Sequence, residues 1–348
     1  MATILNPAHI MSHFTEAEII AANVDPETYH AINADTPRGS PSFVMGRSDL
    51  LLFAECPMRW KNGYERPGSA AKENGNLTET IILQPERFEE RYAVCPETYP
   101  DAKTGEPKPW NFNAAYCKDW RKSIGAREPI KAHEHVEALE AKASAMADLR
   151  IAHLLTHSEK QVMITANYRD AATGITVPLR ALIDLVPDKA DQLYGKALAD
   201  FKTARSAQPR AWRKACWDYG YDAQAAFYLD LHAAATGEQR TDWLHAIIEN
   251  VAPYQTARRW MSAEFVGLGR ARYRAALVRY AACLASGDWP DYDQTGLVID
   301  GWAEVAPEPW MMMQEMDVFG AEEPEVEDDA RPPESEDHWP GQGKYLER

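Results

Sequence analysis

The sequence predicts an α/β domain in which helices flank a central mixed β-sheet. Three observations carry that expectation. Runs of β-rich composition recur at 159–169, 175–186, 194–202, 243–249 and 258–266. Good helix formers with apolar spacing occupy 48–60, 132–149, 269–284 and a segment starting near Tyr219. Turn signals such as Ala172-Thr173-Gly174 and Pro187-Asp188-Lys189-Ala190-Asp191 separate the runs.

Taken in order, residues 1–45 read as an N-terminal helical arm, loosely patterned and punctuated by Pro26, Pro37, Gly39 and Pro41. Ser48 is placed to N-cap a helix that runs to Trp60. A helix N-terminus beside Arg47 is a ready phosphate site, with plain capping as the alternative. Residues 89–130, rich in Pro, Trp and Lys, read as an irregular excursion with a helix near 112–124. Over 132–149, Val136, Leu139, Ala143, Met146 and Leu149 make an apolar stripe expected to face the core. His133, His135, His153 and His157 have no fixed acid nearby and read as structural or exposed. The 159–169 and 175–186 runs alternate like paired strands. The 243–249 and 258–266 runs extend the sheet, and the Arg-rich 269–284 helix closes the domain. From Pro307 the chain becomes acidic and Pro-rich, a signature of disorder. The expected division is an arm over 1–45, one domain over 46–300 and an acidic tail over 301–348.

Composition sets limits. At 348 residues, 45% hydrophobic and 26% charged, the chain has ample material for a core. No apolar run reaches ~18 residues, so no membrane-spanning helix is expected. The N-terminus lacks the basic and long apolar regions of a signal peptide. The five cysteines form no C-x-x-C pair and read as reduced thiols of a cytoplasmic protein. The net charge of −16 looks unsuited to nucleic acid until it is divided. From Glu304 on there are 14 acidic and 3 basic residues, which leaves 39 acids against 34 bases elsewhere. A near-balanced body can still present a basic groove.

The chemistry concentrates at Asp200-Phe201-Lys202. Strand side chains alternate, so Asp200 and Lys202 share a face while Phe201 enters the core. A hairpin over 187–193 lays the 177–186 strand beside them, where Asp184 interrupts an apolar wall. Two carboxylates that meet there imply a shared proton or a metal ion, and Lys202 favours the metal. A buried salt bridge is the alternative. Gln224 and Tyr228 lie at i and i+4 on one face of the next helix. Arg205 and Arg213 lie just beyond the Lys202 strand and could clamp phosphates, or belong to a solvated helix start.

The order Asp184, Asp200-x-Lys202, Gln224-x-x-x-Tyr228 resembles the PD-(D/E)XK nuclease superfamily. The wording YGYDAQAAFYLDL is most similar to its RecE-type (exonuclease VIII) branch, as is Tyr29-His30 upstream. The resemblance runs from about residue 25 to about 300. It implies a restriction-endonuclease-like core and a nuclease site. Asp184, Asp200 and the Phe201 carbonyl would hold Mg²⁺ or Mn²⁺. Lys202 would orient a water, with Gln224 and Tyr228 positioning it or the phosphate. The motif G-x-x-x-H … L-x-P-x-x-F is matched at Gly75 to Phe88 with Glu79 in the histidine position. Glu79 is expected to keep the ligand role as a hard oxygen donor. Arg47 and Ser48 match a helix near the DNA entrance. Cys56-Pro57 resembles the first cysteine of iron–sulfur RecB-type nucleases, but only Cys283 follows in the right region, so no cluster is expected. The resemblance further implies a 5′→3′ exonuclease on linear duplex DNA in phage-type recombination. Such an enzyme would work beside a single-strand annealing protein, as a homo-oligomeric ring, in the cytoplasm of a bacterial or phage-infected cell. An endonuclease, or a DNA- or partner-binding protein that lost catalysis, is the alternative.

Overall fold

Six strands make the main sheet, and their order in the sheet is their order in the chain. They are β1 (Phe14–Ala21), β2 (Ser158–Arg169), β3 (Thr176–Pro187), β4 (Ala197–Ala204), β5 (Asp242–Glu249) and β6 (Thr256–Trp260). The computed structural model describes residues 13–67, 70–292, 298–299, 302–303 and 305. All neighbouring strands pair antiparallel except β4 and β5, which are parallel. A parallel pair needs a crossover. Here two helices supply it, α5 (Pro209–Asp218) and α6 (Tyr221–Thr236). The other helices used below are α1 (Arg47–Glu55), α2 (Ala70–Leu83), α3 (Ala132–Ala147), α4 (Leu149–Thr156) and α7 (Ala263–Ser286).

The sheet separates two apolar cores. One lies under α1, α6 and α7 and contains Phe53, Trp60, Ile164, Ile183, Leu198, Phe227, Trp243 and Leu277. The other lies under α2, α3 and α4 and contains Leu83, Ala145, Leu154, Leu185, Phe201 and Ile248. This two-sided burial explains why the strands read as nearly continuous apolar runs. Helix α6 is buried from Asp222 to Ala233. Its two buried acids are paired across to α7: Asp222 with Arg272 at 2.7 Å, and Asp230 with Arg270 at 2.8 Å. Gly269 lets the helices touch, since a Cβ there would sit 1.9 Å from the Asp222 carbonyl oxygen.

Several local expectations are corrected. Residues 14–21, read as part of an arm, add β1 to the sheet edge beside β2. Helix α1 begins at Arg47 with Gly46 as its N-cap, so Ser48 sits inside the first turn and caps nothing. The 258–266 run splits: β6 ends at Trp260, and the Ser262 side chain caps α7 by accepting from the Phe265 N–H. The 132–149 helix stops where Asp148 caps α4. Its buried stripe is Ala138, Ala141 and Ala145, while Val136, Leu139, Met146 and Leu149 are exposed. Both stripes have helical period, and small alanines win because they allow close approach to α2. His153 does meet an acid, with Nε2 2.6 Å from Asp191 Oδ2. The five cysteines are free and buried. Among the described residues no helix is long and apolar enough to cross a membrane.

Residues up to Asp293 form one compact unit and those from Gln294 another. In the second, Val298–Ile299 pairs with Trp302–Ala303. Apart from Val305, the rest of the acidic tail lies outside the described residues.

Candidate active site

Strands β3 and β4 share one registered pair, Leu185 with Ala199, and then part. That register sets Asp184 opposite Asp200. Where the strands part, the Phe201 N–H donates to Asp184 Oδ2 at 3.0 Å instead of to a main-chain carbonyl. The carboxylate thus satisfies a buried backbone donor that the splay would orphan. On β3 the alternation changes side here: Ile183 packs in the α6 core and Leu185 in the opposite one. Across on β2, the pairs Lys160–Leu185 and Val162–Ile183 bracket Gln161, whose φ is +47°. A left-handed conformation at a non-glycine residue costs energy and gathers at functional sites.

Lys202 stands between the two aspartates, with Nζ 2.5 Å from Asp200 Oδ2 and 3.9 Å from Asp184 Oδ2. Its ammonium also lies 5.6 Å from the centroid of the Tyr221 ring. On the α6 side, Gln224 Nε2 donates to Asp200 Oδ1 at 2.6 Å. Gln224 is in turn fixed by Arg47, whose Nη2 donates to its Oε1 at 2.9 Å. The other Arg47 nitrogen, Nη1, donates to the Tyr219 carbonyl at 3.3 Å. On the α2 side, Gln161 Nε2 donates to Glu79 Oε1 at 3.1 Å. Opposite Asp200 on β5 lies His245, buried, with Trp243 Nε1 donating to its Nε2 at 3.1 Å.

The electrostatics follow from burial. Burial pushes the Asp184 carboxyl well above its ordinary value, and the Asp200 charge adds to the push against Lys202. Burial also raises Glu79, with Lys202 opposing and Asp200 adding. Asp200 is buried too, yet Lys202 and other nearby positive groups hold it below the usual carboxylate range. Burial pulls Lys202 down, but Asp200, Asp184, Tyr221 and Glu79 outweigh that and keep it an ammonium. Burial takes His245 to about 4, so it is neutral at physiological pH.

Three carboxylates therefore surround one lysine. Oxygen donors of this kind suit a hard divalent cation. Two buried oxygens, Asp200 Oδ2 and Gln161 Oε1, have no hydrogen-bond partner; the close Lys202 contact is an ion pair off hydrogen-bond geometry. Among the described residues no three His, Cys, Asp or Glu side chains lie close enough to form a finished metal cage. The Lys202 ammonium takes the cation's part beside Asp200. The donor chemistry fits Mg²⁺ or Mn²⁺, with Glu79, Asp184, Asp200 and the Phe201 carbonyl as the groups that would hold it.

Of the residues singled out from sequence, Asp184, Asp200, Lys202 and Gln224 are joined by direct contacts, and Glu79, held by Gln161, lies within electrostatic reach of Lys202 and Asp200. Tyr228 stands apart. Its hydroxyl meets the Leu182 backbone, its ring packs against Trp243, and burial raises it to about 12. No hydrogen bond joins it to Lys202. Arg47 is committed to Gln224 and Tyr219. Ser48, Arg205 and Arg213 are exposed, and neither arginine makes an ion pair with a described residue. Sequence reasoning missed Gln161, Tyr221 and His245. Glu159, at the start of β2, is exposed, and Gln161 two residues on donates to Glu79.

No curated protein matches the chain. Among solved structures it resembles a presumed exonuclease from Eubacterium rectale, at 15% identity over 84% of this chain and 98% of that one, with a TM-score of 0.45. It also resembles SSO0001, at 15% identity over 49% of this chain and 66% of that one, with a TM-score of 0.25. Residues 47–297, which span every site residue described above, match a family model, and the chain belongs to that family, described as the PDDEXK-like domain of unknown function (DUF3799).

Proposed function

We propose that this chain is a metal-dependent deoxyribonuclease that hydrolyses phosphodiester bonds of DNA. The observation that carries the reading is the meeting of Asp184 and Asp200, from adjacent strands, at a single lysine ammonium. A buried carboxylate pair in excess of its counter-charge is costly unless a cation joins it. In hydrolysis a water oxygen bonds to phosphorus, the P–O bond on the opposite side breaks, and the departing oxygen takes a proton. The chemistry a bound divalent ion supplies is polarisation of the phosphate, acidification of a water and offset of charge on the leaving oxygen. Lys202, kept charged by its neighbours, orients the attacking water and offsets phosphate charge instead of acting as a base. Gln224, locked by Arg47, holds Asp200 in place. Glu79, locked by Gln161, completes the donor set from α2. Arg205 and Arg213, exposed beyond β4, contact backbone phosphates, as does Ser48 at the start of α1. Tyr228 supports β3 through Leu182.

The finer reading rests on the motif resemblance: an Mg²⁺- or Mn²⁺-dependent 5′→3′ exonuclease on linear duplex DNA, in phage-type recombination with an annealing protein, assembled as a homo-oligomeric ring. Linear and closed circular duplexes incubated with Mg²⁺, with Mn²⁺ and with EDTA test it. Loss of linear DNA alone, with metal alone, is expected, and Asp200→Ala abolishes it while the circular dichroism spectrum is unchanged. Cleavage of the circle makes the protein an endonuclease. Metal-dependent cleavage that survives Asp200→Ala overturns the site. The close ion pair of Lys202 with Asp200, at 2.5 Å where a cation would bind, favours one second reading, a DNA-binding protein without catalysis, which inactivity with both metals would support.

A further inference from the structure

The turn joining α5 to α6 carries an aromatic row that runs from solvent to Lys202. Tyr219 is 55% exposed. Its ring lies 5.8 Å from that of Tyr221, tilted by 38°. Tyr221 is backed in turn by Trp212 at 5.6 Å and His245 at 5.7 Å, and the Lys202 ammonium lies 5.6 Å from its centroid. Gly220 between the two tyrosines has φ +65°, and a Cβ there would sit 2.5 Å from Leu51 Cδ1. Glycine is thus required for the bend that sets the rings side by side. The row is also tied to the catalytic carboxylate. Arg47 holds the Tyr219 carbonyl with one nitrogen and Gln224 with the other, and Gln224 holds Asp200.

From this geometry we propose that Tyr219, backed by Tyr221, is a stacking platform for an unpaired nucleobase of the strand whose phosphate is at the Asp184–Asp200–Lys202 site. A tyrosine ring held from behind and exposed in front offers a π-face at small entropic cost, and every base has a matching face. Tyr219 lies one ring further out than Tyr221, so the stacked base belongs to a nucleotide beside the scissile phosphate. Exposed Arg213 on α5 and Arg205 after β4 add positive charge to the segment that leads into the turn. Because the platform takes an unpaired base, frayed or overhanging ends are preferred to blunt ends. Tyr219 acts here as a positioning residue. This deepens the nuclease reading and rests on it for where the strand lies.

The test uses the full chain in EDTA and a duplex whose single-stranded overhang carries 2-aminopurine, a base whose fluorescence falls on stacking. The wild type is expected to quench it. Tyr219→Ala should weaken binding about 5- to 100-fold, the range for loss of one base–aromatic stack, and abolish the quench. Tyr219→Phe should restore both, whereas Tyr219→Leu, which keeps apolar area without a π-face, should not. With Mg²⁺, the Tyr219→Ala defect should appear mainly in KM and be larger for overhanging than for blunt ends. Equal quenching and affinity in wild type, Ala and Leu variants overturns the platform. A wild type that cuts nothing overturns the nuclease reading instead, while a Tyr219-dependent quench in the same protein upholds the platform.

Discussion

Asp184→Asn should make the metal-free protein more stable while removing its activity. The amide keeps the shape of the side chain and an oxygen to accept the Phe201 N–H. It forfeits the attraction to Lys202 at 3.9 Å, worth about 4 kcal/mol at an effective dielectric of 20. Against that attraction the Asp184 carboxyl is still pushed well up, so burial and the Asp200 charge together exceed about 4 kcal/mol. Lys202 keeps its closer partner, Asp200 at 2.5 Å. The folded-state value lies above the unfolded one, so the wild-type carboxyl does no harm at low pH, where it is protonated in both states. Stability is then lost as pH rises through the raised folded value. The variant has no such loss. It should gain about 1–2 kcal/mol in EDTA at about pH 8, the scale of other relieved functional strains. At about 2–4 °C per kcal/mol the rise in Tm is a few degrees, and it should shrink towards pH 4. Thermal unfolding at several pH values, with EDTA and with Mg²⁺, measures this. Mg²⁺ should raise the wild-type Tm by linkage and the variant's much less. A variant less stable than wild type at about pH 8, or a gap that does not change with pH, refutes the reasoning.

Other expectations follow from the same contacts. Arg47→Ala should cut cleavage about 10- to 100-fold with little change in Tm, as is typical when a partner that orients a ligand is lost; an unchanged rate removes Arg47 from the chain to Asp200. Glu79→Gln should raise the Mg²⁺ or Mn²⁺ concentration for half-maximal cleavage roughly 10-fold, and an unaltered metal titration takes Glu79 out of the donor set. Gly269→Ala forces a methyl into the Asp222 backbone, which cannot yield as a side chain would. It should cost about 3 kcal/mol in urea unfolding, and a loss below about 1 kcal/mol would show that α7 can shift.

What the chain dictates by itself is the local frame. Dense apolar runs placed β2, β3 and β4 to within a few residues, because both faces of those strands are buried. The connection after Pro187 returns the chain antiparallel beside β3, which brings Asp184 and Asp200 to neighbouring strands, and the single pair Leu185–Ala199 then sets them opposite each other. The rest depended on contacts distant in sequence. Arg47 reaches Gln224 across 177 positions, and only the docking of α1 on α6 decides that its charge serves a glutamine. Gln161 reaches Glu79 because its backbone turns to φ +47°, which side-chain identity does not announce. Helix α3 offered two apolar stripes of equal period, and its neighbour selected the alanines. Strand β1 joined the sheet because β2 presented a free edge, although its own residues carry no dense apolar alternation. Propensity and spacing are short-range quantities, whereas the site is made where three elements close on one half-buried lysine.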